Sequence, residues 1–349
     1  MKSILLIILL NLLFLSCTKD NDPIQPTFDD RITFERFAFD YSENHYFVDS
    51  IYASTNPELD LYNLYYGNKI PVIFDKYRIK EIEVWKSAQG YIDPQRERMV
   101  NAFIDIPSKG AGHYPLDSPM RDLNQIVNPE KSIIQGRFIK LEEGVDYTYN
   151  PYTGLISYST QIQSDDQIAA AYRLEDESGN DNDLFYGEFI SDLPIDTAYT
   201  LLLKLVRPKY LQPAFKQAWK NQLKNVYSLN NKNIIKEDFE LNIYYKADDA
   251  TYLKAINGTP LIEYFGLDKM DEEGNPNPDG KFDFLPGKTI MPDLGYIIFP
   301  KLEPFGSDMP IIFSQSFQQR LIYDTTKTFA AYSPNSRNFK IEVKFNTGD

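Results

Sequence analysis

The sequence predicts a mostly β protein built from two β-rich, sandwich-like domains, the second carrying one amphipathic helix packed on its sheet. Three observations carry that expectation. Tyr and Phe, which favour strands, number 25 and 23 among 349 residues. Segments of alternating or continuous apolar character recur along the chain at Phe103–Ile106, Val145–Tyr149, Ile168–Leu174, Phe239–Tyr245 and Phe339–Phe345. Between them, an acidic stretch with Gly and Asn at 175–197 interrupts the strand patterns and places a boundary between domains at about 31–180 and 190–349.

The N-terminus precedes both domains. Lys2 and the apolar run Ile4–Leu15, broken only by Asn11, read as a secretory signal covering residues 1–16. The run is too short to span a bilayer as a stable helix. It ends at Phe14-Leu15-Ser16-Cys17, a lipobox-like junction, and Cys17 is the only cysteine. Cleavage before Cys17 and acylation of its sulfur fit this pattern, and each buried methylene of an acyl chain contributes roughly 0.8 kcal/mol to anchoring. No cysteine remains for a disulfide or a thiolate metal site. Residues 17–30 are polar and Pro-containing, as a flexible tether is. Lys19, Asp20 and Asp22 within it resemble the short acidic tags that send some lipoproteins to the cell surface.

In the first domain, Val145–Tyr149 and Leu155–Tyr158 flank Asn150-Pro151-Tyr152-Thr153-Gly154, turn residues that predict a β-hairpin. In the second, Pro213 opens a segment in which Phe215, Trp219, Leu223 and Val226 recur at helical spacing, predicting a core-packed helix over about 213–228. Tyr296–Phe299 is a short apolar strand, and Glu303–Gly306 is its exit turn. Along Phe339–Phe345 the apolar Phe339, Ile341, Val343 and Phe345 alternate with Lys340, Glu342 and Lys344, the pattern of a sheet with one wet face.

The densest stretch is Gly266–Gly306. Asn275, Asn277, Asp279 and Asp283 fall at positions 1, 3, 5 and 9 of a calcium-loop template, with Gly280 at position 6. Position 12 is Pro286, so a structural calcium ion needs Asp268, Asp271 or Glu273 to complete its shell. The same residues also suit a bare turn between strands.

Other chemistry is sparse. The net charge of −14 argues against nucleic-acid binding, which needs a surplus of Lys and Arg. His45 and His113, the only histidines, have no local metal-ligand companion and no nucleophile motif to serve. Glu81 and Glu83 share one strand face roughly 7 Å apart, within the range glycosidases use, although wet strand faces carry such pairs routinely.

Several stretches together resemble the SprA/Sov family, large outer-membrane proteins of gliding motility and type IX secretion. They are Lys80–Trp85 with Arg98–Phe103, similar to a strand pair of that family; Glu143–Thr148 with Gly154–Ile156, similar to a hairpin; Trp219–Leu229 with Lys236–Phe239; and the Gly266–Gly306 stretch. The resemblance runs, with gaps, from Tyr77 to Gly306. It implies shared ancestry and is nearly silent on chemistry. Members are far longer and carry a very large barrel, whereas this chain shows no succession of membrane-strand patterns, so a translocation pore is not implied. The expectation is a non-catalytic, lipid-anchored outer-membrane protein whose partners are other outer-membrane proteins, including secretion or gliding components. A glycan-binding surface lipoprotein and a carboxylate-dependent glycoside hydrolase are the alternatives.

Overall fold

The computed structural model describes residues 29–90, 96–110, 114–122, 132–175, 182–192, 199–271 and 274–348. Cys17, most of the tether, His113, Glu273 and, within 175–197, residues 176–181 and 193–197 lie outside the described residues. The chain is mostly β. Strands β1 (Ile32–Phe37) and β2 (His45–Phe47) precede helix α1 (Leu61–Tyr66). Next come β3 (Ile79–Ser87), β4 (Glu97–Phe103), β5 (Ile133–Lys140), β6 (Tyr147–Tyr149), β7 (Leu155–Tyr158), β8 (Ile168–Leu174) and β9 (Leu184–Tyr186). After β10 (Leu201–Arg207), α2 (Lys216–Asn221) and β11 (Val226–Ser228), the chain forms β12 (Glu240–Lys246), β13 (Tyr252–Leu253), and the short pair β14 (Ala255–Ile256) and β15 (Thr259–Pro260). It ends with α3 (Leu261–Tyr264), β16 (Ile290–Met291), β17 (Tyr296–Ile298), α4 (Arg320–Asp324), α5 (Lys327–Ala331) and β18 (Phe339–Phe345).

Strands β4, β5, β3, β8 and β10 pair in a closed ring, because β10 runs parallel to β4 on one side and antiparallel to β8 on the other. Closure leaves these strands no long free edge. Alternation decides what fills the ring: Leu201, Leu203 and Leu205 join Val100, Ala102, Phe138 and Trp85 in one cluster. Ala169 sits opposite Trp85 in register, and a small residue there makes room for the fully buried indole.

The outer face of β3 and β8, through Ile82, Val84, Ala170 and Tyr172, packs in a second cluster with Phe47, Tyr147 and Leu155 of the sheet β2–β7–β6. The predicted hairpin is there: Tyr147 pairs with Tyr158 and Tyr149 with Ile156. Asn150 closes its turn by accepting the N–H groups of Tyr152 and Thr153 on its side chain. Gly154 adopts φ +63°, and a Cβ there would come within 2.4 Å of the Tyr52 ring.

A third cluster lies under the sheet β1–β18–β12–β13. The expected alternation of β18 is observed, with Phe339, Ile341, Val343 and Phe345 buried. Phe265, Phe305, Phe313 and Phe339 meet there with ring centroids 5.0–6.4 Å apart. The small sheet β11–β17–β16 separates this cluster from the second: Val226 and Ile298 face one, Tyr227 and Ile297 the other. Tyr296–Phe299 therefore reads as a continuous apolar run because both faces of the strand are covered.

Three expectations are corrected. The stretch 175–197 does not separate two sheets, since β10 lies beyond it yet completes the ring with β4 and β8, and residues 33–349 form one compact unit. The helix expected over 213–228 ends at Asn221; Gln222 is extended, and buried, non-helical Leu223 to Asn225, with a bend at Asn225, lead into β11. Asn221 and Asn225 support that path by donating their side-chain NH2 groups to the carbonyls of Val206, Phe299 and Lys301. Finally, β3 and β4 are both strands but not a pair, because β5 stands between them.

Candidate functional site

The turn after α3 folds around a buried carboxylate. Asp268, 1% exposed, accepts the backbone N–H groups of Asp279 at 3.1 Å and Gly280 at 2.9 Å. Burial pushes its pKa up to about 6 against the pull of those donors, and the negative charges of Asp283 and Asp279 add to the rise. Asp283 accepts from the Lys269 N–H at 2.8 Å, and burial raises its pKa too. Asp271 accepts both the backbone N–H and the side-chain amide of Asn275. The structure thus gathers Asp268, Asp279 and Asp283 at one turn and pairs Asp271 with Asn275 beside it, while Asn275 and Asn277 face solvent. Among the described residues, no group of three or more Asp, Glu, His or Cys is placed to share a metal ion.

This turn region braces a second feature. The chain leaving α1 is held at its base by three lysines: Lys69 donates to the Gly274 carbonyl, Lys269 to that of Gly67 at 2.8 Å, and Lys288 to those of Asn68 and Lys69. Helix α1 itself is pinned inward by Tyr62, fully buried, whose hydroxyl donates to the Phe299 carbonyl at 2.9 Å. Beyond this fixed base, Ile70, Val72, Ile73 and Phe74 are exposed by 79, 44, 45 and 40%. Four neighbouring large apolar side chains are thus exposed together within one five-residue stretch rather than scattered singly. The sequence carried the signal, an apolar run of five between Lys69 and Asp75, but apolarity alone reads as strand or core.

The carboxylates weighed for hydrolysis are engaged. Glu83 is buried, receives the Lys140 ammonium at 2.6 Å and accepts the Ile190 N–H at 3.2 Å. Glu81 is exposed and pairs with Arg173 at 3.4 Å. His45 is fully buried, with its Nδ1 3.0 Å from the Ser157 hydroxyl and its ring edge-on to Tyr296; burial lowers its pKa to about 3, so it stays neutral.

Sequence reasoning missed Lys224. It is 5% exposed and borders a cavity of about 660 Å³ between α2 and the loops at Ser50–Asn56 and Leu302–Glu303. Its Nζ donates to the Tyr323 carbonyl at 2.8 Å and lies 3.6 Å over the Trp219 ring, and Trp219 Nε1 donates to the same carbonyl at 2.7 Å. Nothing local marks that lysine, because burial of its segment depends on the helix ending at Asn221, which the helical spacing did not suggest.

No protein-family model matches the chain, and neither does any curated protein. Among the described residues, no helix is long and apolar enough to cross a membrane.

Proposed function

We propose that this protein is a non-catalytic outer-membrane lipoprotein that holds a partner protein at the membrane through the loop Ile70–Phe74. The exposed apolar run on a braced base is the observation that carries the reading. A pre-ordered apolar loop loses little conformational freedom on docking, so more of its burial energy appears as affinity. Acylation of Cys17 and the tether behind it confine the search to a thin layer, which raises the effective concentration of the site toward other membrane proteins. In the SprA-like reading the partner is a component of the type IX secretion or gliding machinery. The ion pairs of Glu81 and Glu83 and the buried, neutral His45 support binding over hydrolysis.

A second reading, glycan binding, draws on a groove of about 550 Å³ bordered by Tyr65, Tyr66, Tyr149 and Tyr152, in which the Tyr65 and Tyr152 rings lie 6.1 Å apart and nearly parallel. One experiment separates the two. Crosslinking in intact cells, read by mass spectrometry, recovers outer-membrane proteins with the native chain and loses them with the double variant Ile70→Asp, Ile73→Asp. Cys17→Ser releases the protein from membranes. Unchanged crosslinks in the double variant, or polysaccharide binding lost on Tyr152→Ala, overturn the partner reading.

A further inference from the structure

Burying an ammonium removes its hydration at a cost of several kcal/mol, and proteins ordinarily recover that cost with a carboxylate. Lys224 lacks one. Among the described residues, no carboxylate lies within 4.0 Å of its Nζ; Glu303, Asp324 and Glu43 act on it only from farther away. Its two contacts, the Tyr323 carbonyl and the Trp219 ring, are neutral. They fix where the ammonium sits without neutralising it. An ammonium has three donors, so these contacts leave one for a third partner.

The cavity beside it fits a ligand of defined character. Phe47, Leu223, Leu302 and the Trp219 ring supply apolar wall, and Lys220 adds a second cation. The one carboxylate on the lining, Glu303, is occupied by Arg320 at 3.0 Å and by Ser307 at 2.7 Å. A volume of about 660 Å³ is in the range of small-molecule sites.

We propose that this cavity binds a carboxylate-bearing ligand with an apolar body, whose carboxylate takes the free donor of Lys224 while its body lies against Trp219 and Leu302. The site goes beyond partner holding and does not depend on it. Burial lowers the pKa of Lys224 to about 7 despite the distant pull of Glu303, Asp324 and Glu43, so the free site holds its proton loosely. An arriving carboxylate stabilises the protonated form, and binding takes up a proton when the pH is above 7. Lys220 on the lining, and Arg320 through its pair with Glu303, leave the sign of this linkage unchanged.

The shared chemistry has two sources, a small organic acid and the C-terminus of a peptide. Trp219 reports on either, since Trp85, the only other tryptophan, is sealed inside the ring of strands. The test titrates the full, detergent-solubilised chain with 4-phenylbutyrate and with an acetylated tripeptide ending in a free phenylalanine carboxylate, each against its carboxamide. Saturable change in Trp219 fluorescence is expected with an acid, at least about tenfold weaker with its amide, and about tenfold weaker in Lys224→Met. The tighter of the two acids assigns the source. Should Lys224→Met fail to fold, protection of the native lysine decides: saturating acid slows acetylation of Lys224 several-fold while lysines elsewhere react unchanged. Equal binding of acid and amide, no saturable binding of any probe, or unprotected Lys224 overturns the proposal.

Discussion

Ile297 and Ile298 are consecutive, both fully buried, and face different cores: Ile297 packs with Phe299 and Phe305, Ile298 with Val226 and Tyr62. Strand β17 is thus a wall shared by two clusters rather than the margin of either. Truncation on either side leaves a cavity with little room to collapse. Ile297→Ala and Ile298→Ala should each cost about 2–5 kcal/mol in guanidinium unfolding. Ile311→Ala, at a fully exposed residue, should stay within about 0.5 kcal/mol.

The same strand shows what a sequence can disclose. Period-two patterns, short apolar runs and turn residues are local properties, so β18, β8 and the hairpin around Asn150–Gly154 were legible from residues alone. The ring of strands was not. Its closing strand, β10, pairs parallel to β4 across about a hundred residues, and no local pattern specifies a non-local partner. The helix was over-read for a related reason: Leu223 and Val226 keep helical spacing, but their burial comes from β2 and β17, reached by non-helical chain. Of the candidate site, the turn carboxylates were visible by type, whereas the exposure of Ile70–Phe74 and the burial of Lys224 are products of packing.

Glu83 and Glu81 differ in surroundings, and their substitutions should differ accordingly. Glu83→Gln leaves Lys140 without its counter-charge beside a buried amide, and a loss of about 1–3 kcal/mol is expected in denaturant unfolding. Glu81→Gln removes an exposed pair at 3.4 Å and should change stability by less than about 1 kcal/mol.

Gly154 combines a left-handed backbone with contact against Tyr52. Gly154→Ala must strain φ and displace the ring at once, so a loss above about 1 kcal/mol is expected, read as a lower urea midpoint with unchanged slope. Gly144, also left-handed but with open space around it, isolates the backbone part: Gly144→Ala should cost less.

The pH dependence of the Asp268 turn has a definite sign. Its folded pKa of about 6 lies above the ordinary Asp value near 3.8, so between those values the folded chain keeps a proton that the unfolded chain releases. This group therefore favours folding most below about pH 4, and its contribution declines as pH rises through 6. Asp279 contributes to the rise by charge repulsion while its own Oδ1 accepts the Lys281 N–H, a bond that Asn can retain. Asp279→Asn should therefore move the Asp268 midpoint down, followed by carboxyl carbon shifts, and raise the melting temperature at pH 7 while leaving it nearly unchanged at pH 4. A midpoint that does not move on that substitution removes Asp279 from the explanation and leaves burial and the charge of Asp283. Repeating the titration with calcium and with chelator tests the ion reading of the same turn. An ion shared by Asp268, Asp279 and Asp283 drags the midpoint down as a neighbouring positive charge must, whereas a turn closed by the N–H groups of Asp279 and Gly280 leaves it where it was.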